Sequence, residues 1–248
     1  MKSIFTFLCS LLLPLFCFCQ INTSLDFVGG VDYGYRNMRT VKNPGFSDTL
    51  IVRIFDENET GKINFRFGFN FNQRLSRNIF FKTGIRFANV GYQRKYEDGG
   101  LRWGNQQTGG VFDPDAPSNE LPDISKLVYS YSFIEIPLIA RYEFSQKKFT
   151  PFVSLGIAPS ILLKHQLKLT TDTDESQILN KNNPDDNYST VNIVGVFSFG
   201  GNYTIGENLQ LFAQPTFRYH FTRLYKYGSV KEYLWNAGLE VGLRKRLN

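Results

Sequence analysis

The run Lys62-Ile-Asn-Phe-Arg-Phe-Gly-Phe-Asn-Phe-Asn-Gln-Arg74 alternates without a gap. Successive side chains of a strand point to opposite faces, so Ile63, Phe65, Phe67, Phe69 and Phe71 share one side. Asn64, Arg66, Gly68, Asn70 and Asn72 share the other. Five large apolar side chains at period two require an apolar medium. A soluble sheet supplies it by turning that face into a core. A membrane barrel supplies it by turning the face outward into lipid. The remaining strands decide between the two.

Seven further stretches repeat the pattern. Leu25, Phe27, Val31, Tyr33 and Tyr35 oppose Asp26, Gly30, Asp32 and Arg36. Phe81, Thr83, Ile85 and Phe87 oppose Lys82, Gly84, Arg86 and Ala88. Ile136, Leu138, Ala140, Tyr142 and Phe144 oppose Glu135, Arg141 and Glu143. Val153 to Leu163, Val191 to Tyr203, Leu209 to Phe221 and Trp235 to Leu243 alternate likewise. The faces opposite the apolar ones carry charge and glycine, which suits the interior of a small barrel. The pattern predicts an all-β fold, a closed antiparallel eight-stranded up-and-down transmembrane β-barrel.

The connections alternate in length. Residues 75–78, 145–148 and 206–208 are short turns, and 37–61, 94–126, 167–188 and 223–232 are long, polar and rich in Asn, Asp, Gly and Pro. This is the asymmetry of outer-membrane barrels, with the four long loops extracellular and the N-terminus periplasmic. On that orientation Tyr33, Tyr35, Tyr92, Tyr129, Tyr131, Tyr219, Tyr233 and Trp235 fall at the outer strand ends. Phe71, Phe81, Tyr142, Phe144 and Tyr203 fall at the inner ends. Two aromatic girdles are expected because amphipathic rings prefer the headgroup level.

Residues 1–19 read as a cleaved export signal. Lys2 precedes an apolar run, and Cys17 and Cys19 place small side chains at −3 and −1 before Gln20. The run is short for a spanning helix, and Phe16 and Phe18 disfavour a lipid anchor on Cys17 or Cys19. The mature unit, 20–248, is then one barrel domain without cysteine, which leaves no disulfide or thiolate metal site. Without Lys2 the balance is 27 basic residues against 22 acidic ones, dispersed along the chain, and nucleic-acid binding gains no support.

Tyr131-Ser-Phe-Ile-Glu-Ile-Pro-Leu-Ile-Ala-Arg-Tyr142 resembles the fourth-strand signature of the PorT-like outer-membrane β-barrel family of Bacteroidetes-type bacteria. Lys148-Phe-Thr-Pro-Phe-Val-Ser-Leu-Gly156 resembles that family's fifth strand, and Gly29-Gly-Val-Asp-Tyr-Gly-Tyr35 its first. The resemblance implies an integral outer-membrane barrel. The best-known member of the family assists a protein secretion system, and no catalytic residues carry over. The terminal Arg246-Leu-Asn248 departs from the aromatic ending usual in such barrels.

The candidate site is the lumen. Glu135, Arg141 and Glu143 face it from the fourth strand, Lys82 and Arg86 from the third, and Glu240 and Arg244 from the eighth. Eight strands enclose only enough space for their own side chains. These seven charges are therefore expected to pair into a structural plug, because charges taken from water need partners. A narrow channel is the alternative. Pro137, Pro159 and Pro215 sit within strands and predict bulges or ladder gaps. His165, continuing the outward parity of Leu163, and His220 lie near the outer rim with Ser130, Ser132 and Ser189, which leaves a rim lipid hydrolase or acyltransferase as a second alternative. Asp113, Asp115, Glu120 and Asp123 lack the spacing of a calcium loop. The expectation is a non-enzymatic barrel without cofactor or metal. Its partners would be outer-membrane lipids and proteins met at the extracellular loops or periplasmic turns.

Overall fold

The computed structural model describes residues 23–40, 52–53, 55–56, 58–96, 124–145, 147–171, 176–181, 187–227 and 230–247. The export signal over 1–19 and the acidic residues Asp113, Asp115, Glu120 and Asp123 lie outside them. Ten strands are described: β1 (Thr23–Thr40), β2 (Glu59–Arg74), β3 (Ile79–Lys95), β4 (Ile124–Glu135), β5 (Leu138–Glu143), β6 (Phe149–Thr171), β7 (Ser176–Lys181), β8 (Val191–Thr204), β9 (Leu209–His220) and β10 (Val230–Leu247). β4 and β5 are two parts of one wall strand, since both pair with β3 and β6 and the register is unchanged across the break between them. β7 is a hairpin arm on the far end of β6. The wall thus has eight strands, each antiparallel to its neighbours. β10 returns to β1 from Thr23 opposite Leu247 to Thr40 opposite Val230, which closes the barrel.

The alternation reads inside out relative to a soluble protein. Ile63, Phe65, Phe67, Phe69 and Phe71 are 40–74% exposed, whereas Asn64, Arg66, Asn70 and Asn72 are at most 2% exposed. Glycines on the inner face let the wall coil tightly. A Cβ on Gly68 would lie 2.7 Å from the Arg86 Cα, and one on Gly30 would lie 2.9 Å from Cγ of Glu240.

The strands run further than the sequence pattern indicates. The connection read as 37–61 begins only after Thr40 and ends at Glu59, that read as 94–126 is entered by β3 and β4, and β10 reaches into 223–232 at Val230. The stretch 167–188 contains the end of β6 and all of β7. Backbone pairing with a neighbour carries these polar segments as strand beyond the apolar band, where alternation no longer marks them.

The outer girdle also needs correction. Tyr92 and Tyr131 are 1% exposed, inside the barrel, and Tyr129 stands opposite Tyr92 on the same face. They follow the inward parity of Arg86 and Glu135, which outranks the preference of a tyrosine for the interface. The parity expected for His165 is reversed too. Ser132 pairs with Lys164 and Phe133 with Leu162, so Leu163 is an extra residue and His165 turns inward opposite Tyr131. Similarly, one extra residue between Gly61 and Phe65 turns Glu59 inward on β2.

The prolines open gaps. The β4–β6 ladder stops at Glu135 opposite Ser160 and resumes at Leu138 opposite Ile157, without a change of register. The β8–β9 ladder is interrupted between Ser198 opposite Thr216 and Gly201 opposite Ala213, the interval that holds Pro215.

Candidate functional site

The lumen is packed in two layers. Toward the short turns it holds charge. Glu240 of β10 accepts from Arg218 Nη2 at 2.7 Å, Gln214 Nε2 at 2.6 Å and Arg86 Nη1 at 3.2 Å, with Arg66 Nη1 4.0 Å away. Arg218 also reaches Glu135 across the barrel at 2.9 Å. Arg66 pairs with Asp32 at 2.5 Å. Asp26 is the second hub, taking Arg244 Nε at 2.8 Å with Lys82 Nζ 3.9 Å away. Arg244 continues to Glu143 at 3.2 Å, and Asn202 donates to the same carboxylate at 2.8 Å. Arg141 is held by the Gln214 carbonyl at 3.0 Å and lies 3.8 Å from the Phe152 ring centroid.

All seven residues singled out from the sequence are therefore buried and brought together: Lys82, Arg86, Glu135, Arg141, Glu143, Glu240 and Arg244. The set is incomplete without Asp26, Asp32, Arg66 and Arg218, which share the inward parity of their strands. That parity was the available signal. Six cations then face five carboxylates in this layer among the described residues. Desolvating that many ions stabilises nothing by itself; the geometry offsets the cost through many charge-assisted hydrogen bonds.

Toward the long loops the lumen is apolar and aromatic. Ala88, Val90, Tyr92, Tyr131, Phe133, Leu162, Leu224 and Leu234 form one buried cluster. Tyr92 stacks on Tyr129 at 4.7 Å, Tyr131 lies 6.2 Å from Tyr188, and Tyr188 lies 4.6 Å from Tyr225. The Tyr188 and Tyr225 hydroxyls are 3.0 Å apart, and their backbones form an isolated bridge between the segments preceding β8 and β10. Burial, with Tyr188 beside it, raises the Tyr225 phenol above its ordinary pKa. Arg36 covers the cluster with its guanidinium 4.2 Å from the Tyr92 ring centroid, paired to Glu59 at 2.9 Å and Glu232 at 2.8 Å. Leu224 and Tyr225 enter from a loop, and nothing in their local sequence marks them as lumen residues.

The histidines belong to this outer layer. His165 stacks on Tyr188 at 4.3 Å, and His220 packs against Phe133 at 5.6 Å. Ser130 and Ser132 flank Tyr131 on β4, so they point away from the face that His165 shares with Tyr131. Ser132 Oγ instead accepts from Asn89 at 3.2 Å. Among the described residues no group of three His, Cys, Asp or Glu side chains has the arrangement of a metal site.

The outer membrane protein beta-barrel domain family matches residues 45–247, and the chain belongs to it. It is an outer-membrane protein. Solved structures with a similar trace include Neisserial surface protein A, 12% identical over 89% of this chain and 96% of that one, with a TM-score of 0.37. OmpT, an outer-membrane protease of Escherichia coli, is 8% identical over 91% and 97%, with a TM-score of 0.46. OprG of Pseudomonas aeruginosa is 10% identical over 92% and 96%, with a TM-score of 0.43. No curated protein matches.

Proposed function

We propose that this member of the outer-membrane β-barrel family is a non-enzymatic anchor with its short turns in the periplasm and its long loops outside the cell. It acts through those loops, as an accessory of an envelope or secretion assembly of the PorT-like kind. The observation that carries this reading is the filled lumen. Charged side chains crosslink the wall strands at the short-turn end, and Tyr188, Leu224 and Tyr225 fill the other end from the loop side. Side chains committed to such packing leave little to conduct, so the long connections become the place for partners. The inward turn of His165 and its stack on Tyr188 weigh against a rim hydrolase.

Two experiments test it. Purified barrel in a planar bilayer is expected to be electrically silent; stepwise ion currents would overturn the plugged lumen. Replacing 97–123 by a short Gly-Ser linker is expected to leave an assembled barrel that no longer rescues the envelope or secretion defect of a deletion strain. Full rescue would place the activity elsewhere.

A further inference from the structure

Charge is divided unevenly between the two ends of the barrel. The four long connections (37–61, 94–126, 167–188 and 223–232) carry 16 Asp and Glu against 12 Lys and Arg. The short-turn end carries Arg74, Arg77, Lys147, Lys148, Lys245 and Arg246, against Glu207 in the turns and Glu143 at the end of β5, which is paired to Arg244 and borders a recess with Arg74 and Arg246. Five of these six cations are exposed and Arg74 is half-buried, so they stand outside the lumen network.

Three of them converge. Lys147, Lys148 and Arg246 line a recess of about 360 Å³ against the turn at Thr204, Ile205 and Gly206. Arg246 also borders a second recess of about 260 Å³, together with Arg74. The first recess opens beside lipid-facing side chains. Tyr203 is 46% exposed and Ile205 57%, and Lys148 Nζ lies 5.4 Å from the Tyr203 ring centroid. Aromatic rings on the outer wall mark the headgroup level. Ammonium and guanidinium groups one step beyond them lie at the depth of lipid phosphates. Lysine meets a phosphate as a point charge and arginine as a planar fork, so the set has the chemistry of a phosphodiester site.

We infer that the short-turn rim binds anionic phospholipid headgroups, with Lys147, Lys148 and Arg246 gathering one phosphate while acyl chains run along Tyr203 and Ile205. The naming of the periplasmic leaflet rests on the orientation proposed above. The binding does not, because it is read on purified protein whichever way the barrel faces in the cell.

The test uses the full barrel in mixed micelles holding equal amounts of phosphatidylglycerol and phosphatidylcholine, with retained lipid counted by native mass spectrometry. Each basic side chain near an anionic surface is worth roughly a fivefold gain in association. The wild type should therefore retain phosphatidylglycerol at least about tenfold over phosphatidylcholine. The triple variant Lys147→Gln/Lys148→Gln/Arg246→Gln should lose that preference while keeping the heat-dependent gel shift of a folded barrel. Lys226→Gln/Lys231→Gln, at the opposite end, should keep the preference. Equal retention of both lipids by the wild type would overturn the inference. So would a preference that survives in the rim variant or disappears in the opposite-end variant.

Discussion

Pro137 and Pro159 share one gap in the barrel wall. Pro159 of β6 accepts the Ile136 N–H at 2.9 Å through its carbonyl, but it has no N–H to return, and Pro137 next to Ile136 has none either. Two missing donors therefore coincide in one interruption between β4 and β5, instead of weakening two separate places. The strand keeps its register across the break because the β3 pairing resumes at Ile139 opposite Lys82.

The gap should open locally before the rest of the wall does. In hydrogen exchange by mass spectrometry, a peptide covering 134–138 should exchange at least about tenfold faster than one covering 139–143, the sub-global behaviour expected where ladder bonds are missing. Equal protection of both peptides would contradict the gap.

Glu240→Gln should be among the most damaging single changes in the lumen. It removes the charge that Arg86, Arg218 and Arg66 share. Breaking a buried pair costs about 3–5 kcal/mol because a charge is left uncompensated. Urea titration of the folded barrel in lipid vesicles should show this as a lower midpoint. Adding Arg86→Met, whose carboxylate partner is Glu240, to Glu240→Gln should recover part of the loss, the signature of coupling rather than of a volume change.

Phe67 lies at the middle of β2 and is 49% exposed. An arginine on the lipid face costs about 2–4 kcal/mol at the bilayer midplane and about 0–1 kcal/mol near the interface. Phe67→Arg should therefore destabilise the barrel in vesicles far more than Phe71→Arg. Equal penalties would mean that the apolar face of β2 is not centred on the membrane.

The Tyr188 ring shields His165. Tyr188→Ala should raise the rate at which diethylpyrocarbonate modifies His165 by about tenfold. Tyr225→Phe removes one hydroxyl and should cost only about 1 kcal/mol of stability, with His165 still protected.

The wall was legible in the sequence because one residue per side is a strict rule in a lipid-facing strand. Five phenylalanine and isoleucine positions of β2 fall where that rule places them. It fails where a residue is added without any local mark. Leu163 is an ordinary apolar residue, yet as an extra residue in β6 it moves His165 from the outer face to the lumen. Tyr92 and Tyr131 were misplaced for a different reason. Their chemistry fits a girdle, and only counting forward from Arg86 and back from Glu135 puts them inside. The lumen charges were legible as a polar face but not as pairs, because Arg218 meets Glu135 across the barrel and parity carries no information about partners. Leu224 and Tyr225 were not legible at all, since a loop that folds back into its own barrel is a tertiary event.

The seam between β1 and β10 joins the first described strand to the last, and both are 18 residues long. Neither has a complete partner set until the other arrives, so the pairing that seals the wall spans nearly the whole chain. Loop-closure entropy is then paid in full before the seam contributes anything. A chain halted before β10 would present two bare rows of N–H and C=O groups to hydrocarbon, where no water can satisfy them. Half a barrel is consequently no refuge in the bilayer. The polypeptide must be kept from inserting until its last strand is available, and shortening that strand should turn insertion into aggregation rather than into a smaller barrel.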